Sequence, residues 1–213
     1  MTTTPPFVVT IGRQFGSGGR QIGRLVAERL GIPFYDKELL AEAARASGVS
    51  IEFFEKRDER QPSLLSGIFS FSMGHIPVGY YTGLSCVSDD GIYCAYADFI
   101  RQLAATRSCV IVGRTSDYIL RDNPRCINIF LHAPIDSCVD RILSREAVKD
   151  RRAAANLARK MNSLRAAYYN FYTDKTWGDA SSYHLSIDSS TLPPEKIADL
   201  IVDYVNHYLA AAR

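Results

Sequence analysis

The run Val8-Val9-Thr10-Ile11-Gly12-Arg13-Gln14-Phe15-Gly16-Ser17-Gly18-Gly19-Arg20 constrains the fold more than any other stretch of this chain. Its β-branched start, over 7–11, reads as a buried strand that stops at Gly12. Past the glycines, Ile22, Leu25, Val26, Arg29 and Leu30 recur at helical spacing, which predicts a helix over 20–30. Strand, glycine-dense turn and helix in that order direct backbone N–H groups and a helix N-terminus at an anion. The lysine and hydroxyl of the phosphate-loop pattern G-x-x-x-x-G-K-[ST] are missing, and Gly19 and Arg20 occupy their places. The pattern G-x-G-x-x-G also fails, because Gln21 stands where its third glycine belongs. Two readings remain: a phosphate cradle whose cation has moved by one residue to Arg20, or a turn in which glycine serves tight packing alone.

Short apolar runs alternate with helical ones through the rest of the sequence. The pattern predicts a strand at 33–35, helices at 37–47 and 51–58, then a helix at 93–106. Residues 62–92, rich in Ser, Gly, Tyr and Phe, show no clean period. Strands are expected at 109–112 and 126–131, and a helix from Pro134 through Asp136, Val139, Ile142 and Leu143. A long basic helix at 150–172, a strand at 185–187 and a helix at 194–211 complete the order. Such alternation indicates a three-layer α/β fold, a parallel sheet with helices on both faces. Ligands of these sheets sit beyond the carboxyl ends of the strands, which singles out the loops at 12–20, 36–38, 113–117 and 132–134.

A chain of 213 residues is long enough for one such domain. Its net charge of +2 gives no global argument for nucleic acid, and no aromatic motif of the RNA-binding kind is present. Charge is concentrated locally: residues 141–165 hold eight Lys or Arg against two acids. The five cysteines lack C-x-x-C spacing, and Cys109 and Cys126 fall in strands, where thiols behave as small hydrophobes. A reducing cytoplasm is therefore expected, rather than a zinc site or a disulfide framework. The N-terminus lacks the features of a signal peptide, and no apolar run reaches membrane-spanning length.

Candidate site residues lie in the loops after strands. Arg13 and Arg20 belong to the glycine loop, and Asp36 and Lys37 follow the second strand. Arg114 follows a buried strand, a rigid mounting that suits bidentate phosphate binding. It is equally placed to pair with Asp117 or Asp36. Asp36 itself either orients a substrate or caps the helix that begins at Lys37. Arg151, Arg152, Arg159, Lys160 and Arg165 lie on a helix able to cover the site, though helical spacing forces some of them into solvent. The aromatics Phe69, Phe71, Tyr80, Tyr81, Tyr93 and Tyr96 stack on a base, form a dimer surface or pack the core. Tyr168, Tyr169, Phe171 and Tyr172 are expected to anchor the basic helix.

Taken together, residues 11–20, 34–39, 112–114, 168–172, 177–179 and 185–192 resemble the cytidylate kinase-like branch of the P-loop nucleoside monophosphate kinases. The resemblance implies a single domain over 1–213 on a P-loop NTPase-type sheet, with an inserted nucleoside monophosphate subdomain at 37–92 and a helical lid at 144–182. It implies ATP as donor, Mg²⁺ bound through ATP with no metal ligand from the protein, and CMP or dCMP as acceptor, giving CDP or dCDP. By position, Arg13, Gly16, Ser17, Gly18, Gly19 and Arg20 would hold the donor, and Asp36, Lys37 and Arg114 the acceptor. Arg20, Arg114 and Arg165 would act on the transferring group. The partners implied are small nucleotides, with no nucleic acid or membrane, and a homodimer. Ordinary cytidylate kinases carry the loop lysine, a Ser or Thr, and an Asp after the arginine matching Arg114; here stand Gly19, Arg20 and Thr115. Those replacements motivate a second reading, a nucleotide-binding sensor without turnover. A third, a dinucleotide-dependent enzyme, takes Asp36 at the Rossmann interval; the broken glycine spacing and the basic helix argue against it.

Overall fold

A β-branched strand is most stable where both of its faces are covered, and β1 (Val8–Arg13) is such a strand, with Val8, Val9 and Ile11 all inaccessible to solvent. In the computed structural model, which describes residues 5–46, 89–145, 148 and 150–211, β1 is the middle of a five-stranded sheet. Its order is β2-β3-β1-β4-β5, with β2 at Phe34–Tyr35, β3 at Cys109–Val112, β4 at Cys126–His132 and β5 at Leu185–Asp188. Every pairing is parallel. β1 runs two residues past the expected end, because Gly12 and Arg13 still pair with Phe130 and Leu131 of β4.

Helices cover both faces. On one side α1 (Gly19–Leu30) and α7 (Pro194–Ala211) bring Ile22, Val26, Ile197 and Ile201 onto Val9, Ile11, Val110 and Ile129. On the other, α2 (Lys37–Ala46), α3 (Asp89–Thr106) and α4 (Ser116–Ile119) bring Leu40, Phe99, Ile100 and Ile119 onto Val8, Cys109 and Ile111. A separate small core joins Val139 and Ile142 of α5 (Ile135–Arg145) to Ala154 and Ala158 of α6 (Arg151–Thr173). A 3-10 turn at Ala180–Ser182 leads into β5.

α3 begins four residues earlier than the expected 93, and α5 begins just after Pro134, whose carbonyl accepts the Cys138 N–H at 3.1 Å. α6 starts at a side-chain cap in which Asp150 accepts the Ala153 N–H at 2.8 Å. The helix expected at 51–58 lies outside the described residues, as do Cys86, Phe69, Phe71, Tyr80 and Tyr81. Cys109, Cys126 and Cys138 are buried free thiols, as small hydrophobes should be, and Cys94 is exposed. Among the described residues no helix is long and apolar enough to cross a membrane.

The one-sidedness of α7 gives a test of this packing. Ile201 is wholly buried, while its neighbour Leu200 is 45% exposed. Ile201→Ala is expected to cost about 2–5 kcal/mol and Leu200→Ala under about 0.5 kcal/mol, read as midpoints in urea denaturation. Equal midpoints for the two variants would place α7 wrongly on the sheet.

Candidate functional site

Parallel strands send their following loops out at one edge, and there the loops after β1, β2 and β3 enclose a cavity of about 790 Å³ together with α5 and α6. The glycine loop after β1 turns through left-handed backbone at Gly16 (φ 83°) and Gly18 (φ 79°), which a side chain would strain. It is seated firmly on its surroundings. A β-carbon on Gly16 would lie 2.8 Å from the Cys138 carbonyl oxygen, so the loop rests directly on α5. The Ser17 hydroxyl donates to the Gln14 carbonyl at 2.9 Å, and the Ser17 carbonyl accepts the Ser189 hydroxyl at 2.6 Å. Arg141 of α5 donates to the Gly16 carbonyl at 3.3 Å and also to Ser189, tying the loop to the turn after β5.

α6 holds the loop from the opposite side. Asn162 accepts the Phe15 N–H at 2.7 Å, and Arg165 donates to the Arg13 carbonyl at 3.1 Å with its guanidinium over the Phe15 ring. At the end of β3 the chain takes three successive left-handed residues, Gly113 (φ 82°), Arg114 (φ 62°) and Thr115 (φ 51°). Left-handed backbone at non-glycine residues is costly and persists only where the surroundings impose it. Here Ser116 N–H closes back on the Gly113 carbonyl at 3.2 Å, Thr115 meets the Tyr93 hydroxyl at 3.3 Å, and the Arg114 guanidinium covers the Tyr96 ring at 4.8 Å.

The cavity is strongly cationic. Arg13, Lys37, Arg114 and Arg165 all line it. Burial holds the Arg13 guanidinium well below its ordinary pKa, and Arg165 and Arg114 lower it further. Burial, then Arg114, brings Lys37 down to about 8, and burial brings Arg165 to about 10. At Arg13 and Lys37 neighbouring cations add to the effect of burial, partly offset by Asp36 and Glu38 at Arg13 and by Glu38 at Lys37, a crowding that an entering anion would relieve.

Arg20 lines the cavity as well. Its guanidinium pairs with Asp36, after β2, at 2.7 Å and with Glu38, in the first turn of α2, at 3.0 Å. From the first turn of α1 its side chain meets two carboxylates at once, which satisfies it where it stands. Burial pushes the Asp36 carboxyl up, but the Leu39 N–H and Arg20 outweigh it and hold the group below the ordinary value. By accepting that N–H at 3.1 Å, Asp36 caps α2, one of its two expected roles. Of the five basic candidates on α6, Arg165 alone lines the cavity. Arg151 pairs with Asp140 and Asp136 on α5, and Arg152, Arg159 and Lys160 are exposed.

Several lining residues were not singled out from sequence. The Tyr169 hydroxyl donates to the Asp117 carboxylate at 2.7 Å across 52 residues of chain, and burial pushes that carboxyl up while Tyr169 pulls it down. Tyr169 thus anchors α6 and lines the cavity as well. Tyr183, Trp177, Arg141 and Arg145 also face it. Tyr169 and Trp177 lie in segments that carry the family resemblance, and the two arginines stand four apart on the amphipathic α5 and so share a face. Tyr93 stacks on Tyr172 with parallel rings at 4.1 Å, a packing role, whereas Phe171 is 60% exposed.

Residues 8–191 match the cytidylate kinase-like family. A cytidylate kinase of Pyrococcus abyssi is 24% identical over 203 residues, which are 94% of this chain and 94% of that protein. The solved structure of an uncharacterized protein from Eubacterium ventriosum superposes with a TM-score of 0.70 at 30% identity, over 94% of this chain and 98% of that one. A shikimate kinase from Bacteroides thetaiotaomicron, 14% identical, shares the fold with a TM-score of 0.53 over 96% and 98% of the two chains. With a match that runs from β1 through the turn after β5, the chain belongs to the cytidylate kinase-like family, on the fold of the P-loop kinases.

Proposed function

We propose that this protein transfers the γ-phosphoryl group of ATP to the phosphate of a nucleoside monophosphate, with CMP or dCMP as the acceptor. The carrying observation is the convergence of Arg13, Lys37, Arg114 and Arg165 on one cavity bounded by the glycine loop. The triphosphate of the donor and the single phosphate of the acceptor, meeting there, would supply the negative charge that this cluster lacks. The reaction is balanced without a base. An acceptor phosphate oxygen, already anionic, forms the new bond to the γ-phosphorus, and the bond to the β,γ-bridging oxygen breaks to release ADP.

The work left for the chain is positioning and charge neutralisation. Amides at the start of α1 and the glycine loop face the donor phosphates. Arg114, held by its left-handed turn, and Lys37 face the acceptor phosphate. Arg165 reaches in from α6, which belongs to the proposed lid at 144–182, while α2 opens the proposed acceptor subdomain at 37–92. Mg²⁺ would neutralise and orient the donor phosphates.

The sensor reading draws on one observation: Arg20, at the place of the usual metal-binding hydroxyl, is engaged by Asp36 and Glu38. A coupled ADP-release assay with ATP, Mg²⁺ and a panel of nucleoside monophosphates separates the two. Turnover with CMP above the acceptor-free control supports the kinase; ATP binding with no turnover on any acceptor selects the sensor.

Two outcomes probe the acceptor side. Arg114→Ala is expected to raise KM for the monophosphate by roughly 10–100-fold, the scale of a lost charge-assisted contact, with little change in ATP affinity. An unchanged monophosphate KM would remove Arg114 from that role. Lys37 gives a pH signature. Its lowered pKa means that the unfolded chain holds the extra proton between about 8 and the ordinary 10.5. The nucleotide-free protein should therefore gain stability as pH rises through that window, and monophosphate affinity should fall as Lys37 deprotonates. Lys37→Met is expected to flatten both profiles in thermal melts and calorimetric titrations; profiles that keep their slopes would assign the titration to another group.

A further inference from the structure

Arg13 and Gly19 stand in a relation that the sequence pattern alone does not show. With the second glycine of G-x-x-x-x-G-K-[ST] placed on Gly18, the first glycine of the pattern falls on Arg13 and its lysine on Gly19. The pair is reversed: a cation where glycine is usual, and glycine where the cation is usual. In space the two positions touch. A β-carbon built on Gly19 would lie 2.6 Å from Arg13 Cβ and 2.9 Å from its Cγ, closer than such atoms approach. The end of β1 and the start of α1 therefore leave room for one side chain between them, carried by either partner but not by both.

The rest of the Arg13 side chain has a path cleared for it. Its stem lies on the bare α-carbon of Gly19, and its guanidinium lies against that of Gly113, where a β-carbon would collide with Nη1. Gly113 is the left-handed residue that opens the turn carrying Arg114. The head of Arg13 thus reaches from the glycine loop to the end of β3, between the proposed donor and acceptor positions. Among the described residues no carboxylate makes an ion pair with it within 4 Å; Asp36 and Glu38, both bonded to Arg20, attract it from farther off.

We infer that Arg13, not Arg20, supplies the positive charge of the missing loop lysine, through a reciprocal exchange of cation and glycine between positions 13 and 19. The inference rests on the phosphoryl-transfer reading and names the residue that touches the donor phosphates within it. Tight packing alone would explain why Gly19 is bare. It would not explain an arginine laid along the freed channel, with its head among Lys37, Arg114 and Arg165.

Exchange predicts rescue, which packing does not. Arg13→Gly is expected to lower kcat at least ~10²-fold, the scale for losing one preorganised charge contact, and to weaken ATP binding in acceptor-free calorimetry. Adding Gly19→Lys to it restores the ordinary pattern and should recover most of both losses. Gly19→Lys by itself should be impaired, because two stems then compete for one space. Arg13→Gly with wild-type kcat and ATP affinity, or a folded double variant no better than Arg13→Gly, would overturn the exchange. Circular dichroism reports folding. If the double variant is unfolded, Arg13→Ala assayed with added guanidinium decides instead: recovered turnover supports the role, and none refutes it. Wild-type protein that neither binds ATP nor turns over would sink the phosphoryl-transfer reading itself; a wild type active alongside an indifferent Arg13→Gly sinks the exchange alone.

Discussion

Like charges do not gather unless something holds them, and the mutual repulsion of the cationic cavity is the constraint that the rest of the site answers. Each cation is mounted on an element that resists being pushed away. Arg13 ends the central strand, Arg114 sits in a turn closed by Ser116 and Thr115, Lys37 opens α2, and Arg165 is bonded to the Arg13 carbonyl. For Arg165, swinging outward would break its bond to the Arg13 carbonyl. In the proposed reaction the entering phosphates would relieve the repulsion that remains.

The glycine loop is held between two frames. Arg141 and Cys138 of α5 support it from below and Asn162 and Arg165 of α6 from the side, and α5 and α6 share a small core of their own. Any motion of α6 therefore bears on the Phe15 N–H and the Arg13 carbonyl. In P-loop kinases generally, closure of a lid expels water and completes the set of charges around the phosphates. Here α6, the helix of the proposed lid, is hydrogen-bonded to the glycine loop, so in the proposed reaction its closure would be coupled to phosphate binding.

Much of the fold was legible because its determinants are local. β-branched runs, helical spacing and a dense glycine turn mark β1, α1, β3, β4, α6 and α7 within a residue or two of their observed ends. Three of the four loops singled out, those after β1, β2 and β3, line one cavity, because parallel strands place successive loops at one edge; no residue of 132–134 lines it. Arg165 was set apart from its basic neighbours by the family resemblance and not by charge along the helix, which says nothing of which face is covered. Asp117 and Tyr169, 52 residues apart, carried no joint signal at all.

What the residues alone determined, then, is the alternation of strands and helices and the glycine turn after β1, since each follows from periods and backbone preferences readable within a short window, and the motifs carried the family resemblance. What only the tertiary structure decided is the direction of each charged side chain. Arg20 sits in the loop as the obvious substitute for lysine, yet two carboxylates, at Asp36 and Glu38, draw it aside. Arg13 reads from the sequence as a residue of the glycine loop, yet it ends the central strand, and bare α-carbons at Gly19 and Gly113 lay it into the cavity. Long side chains take their orientation from distant partners and from the space those partners leave, and neither is written in the local pattern.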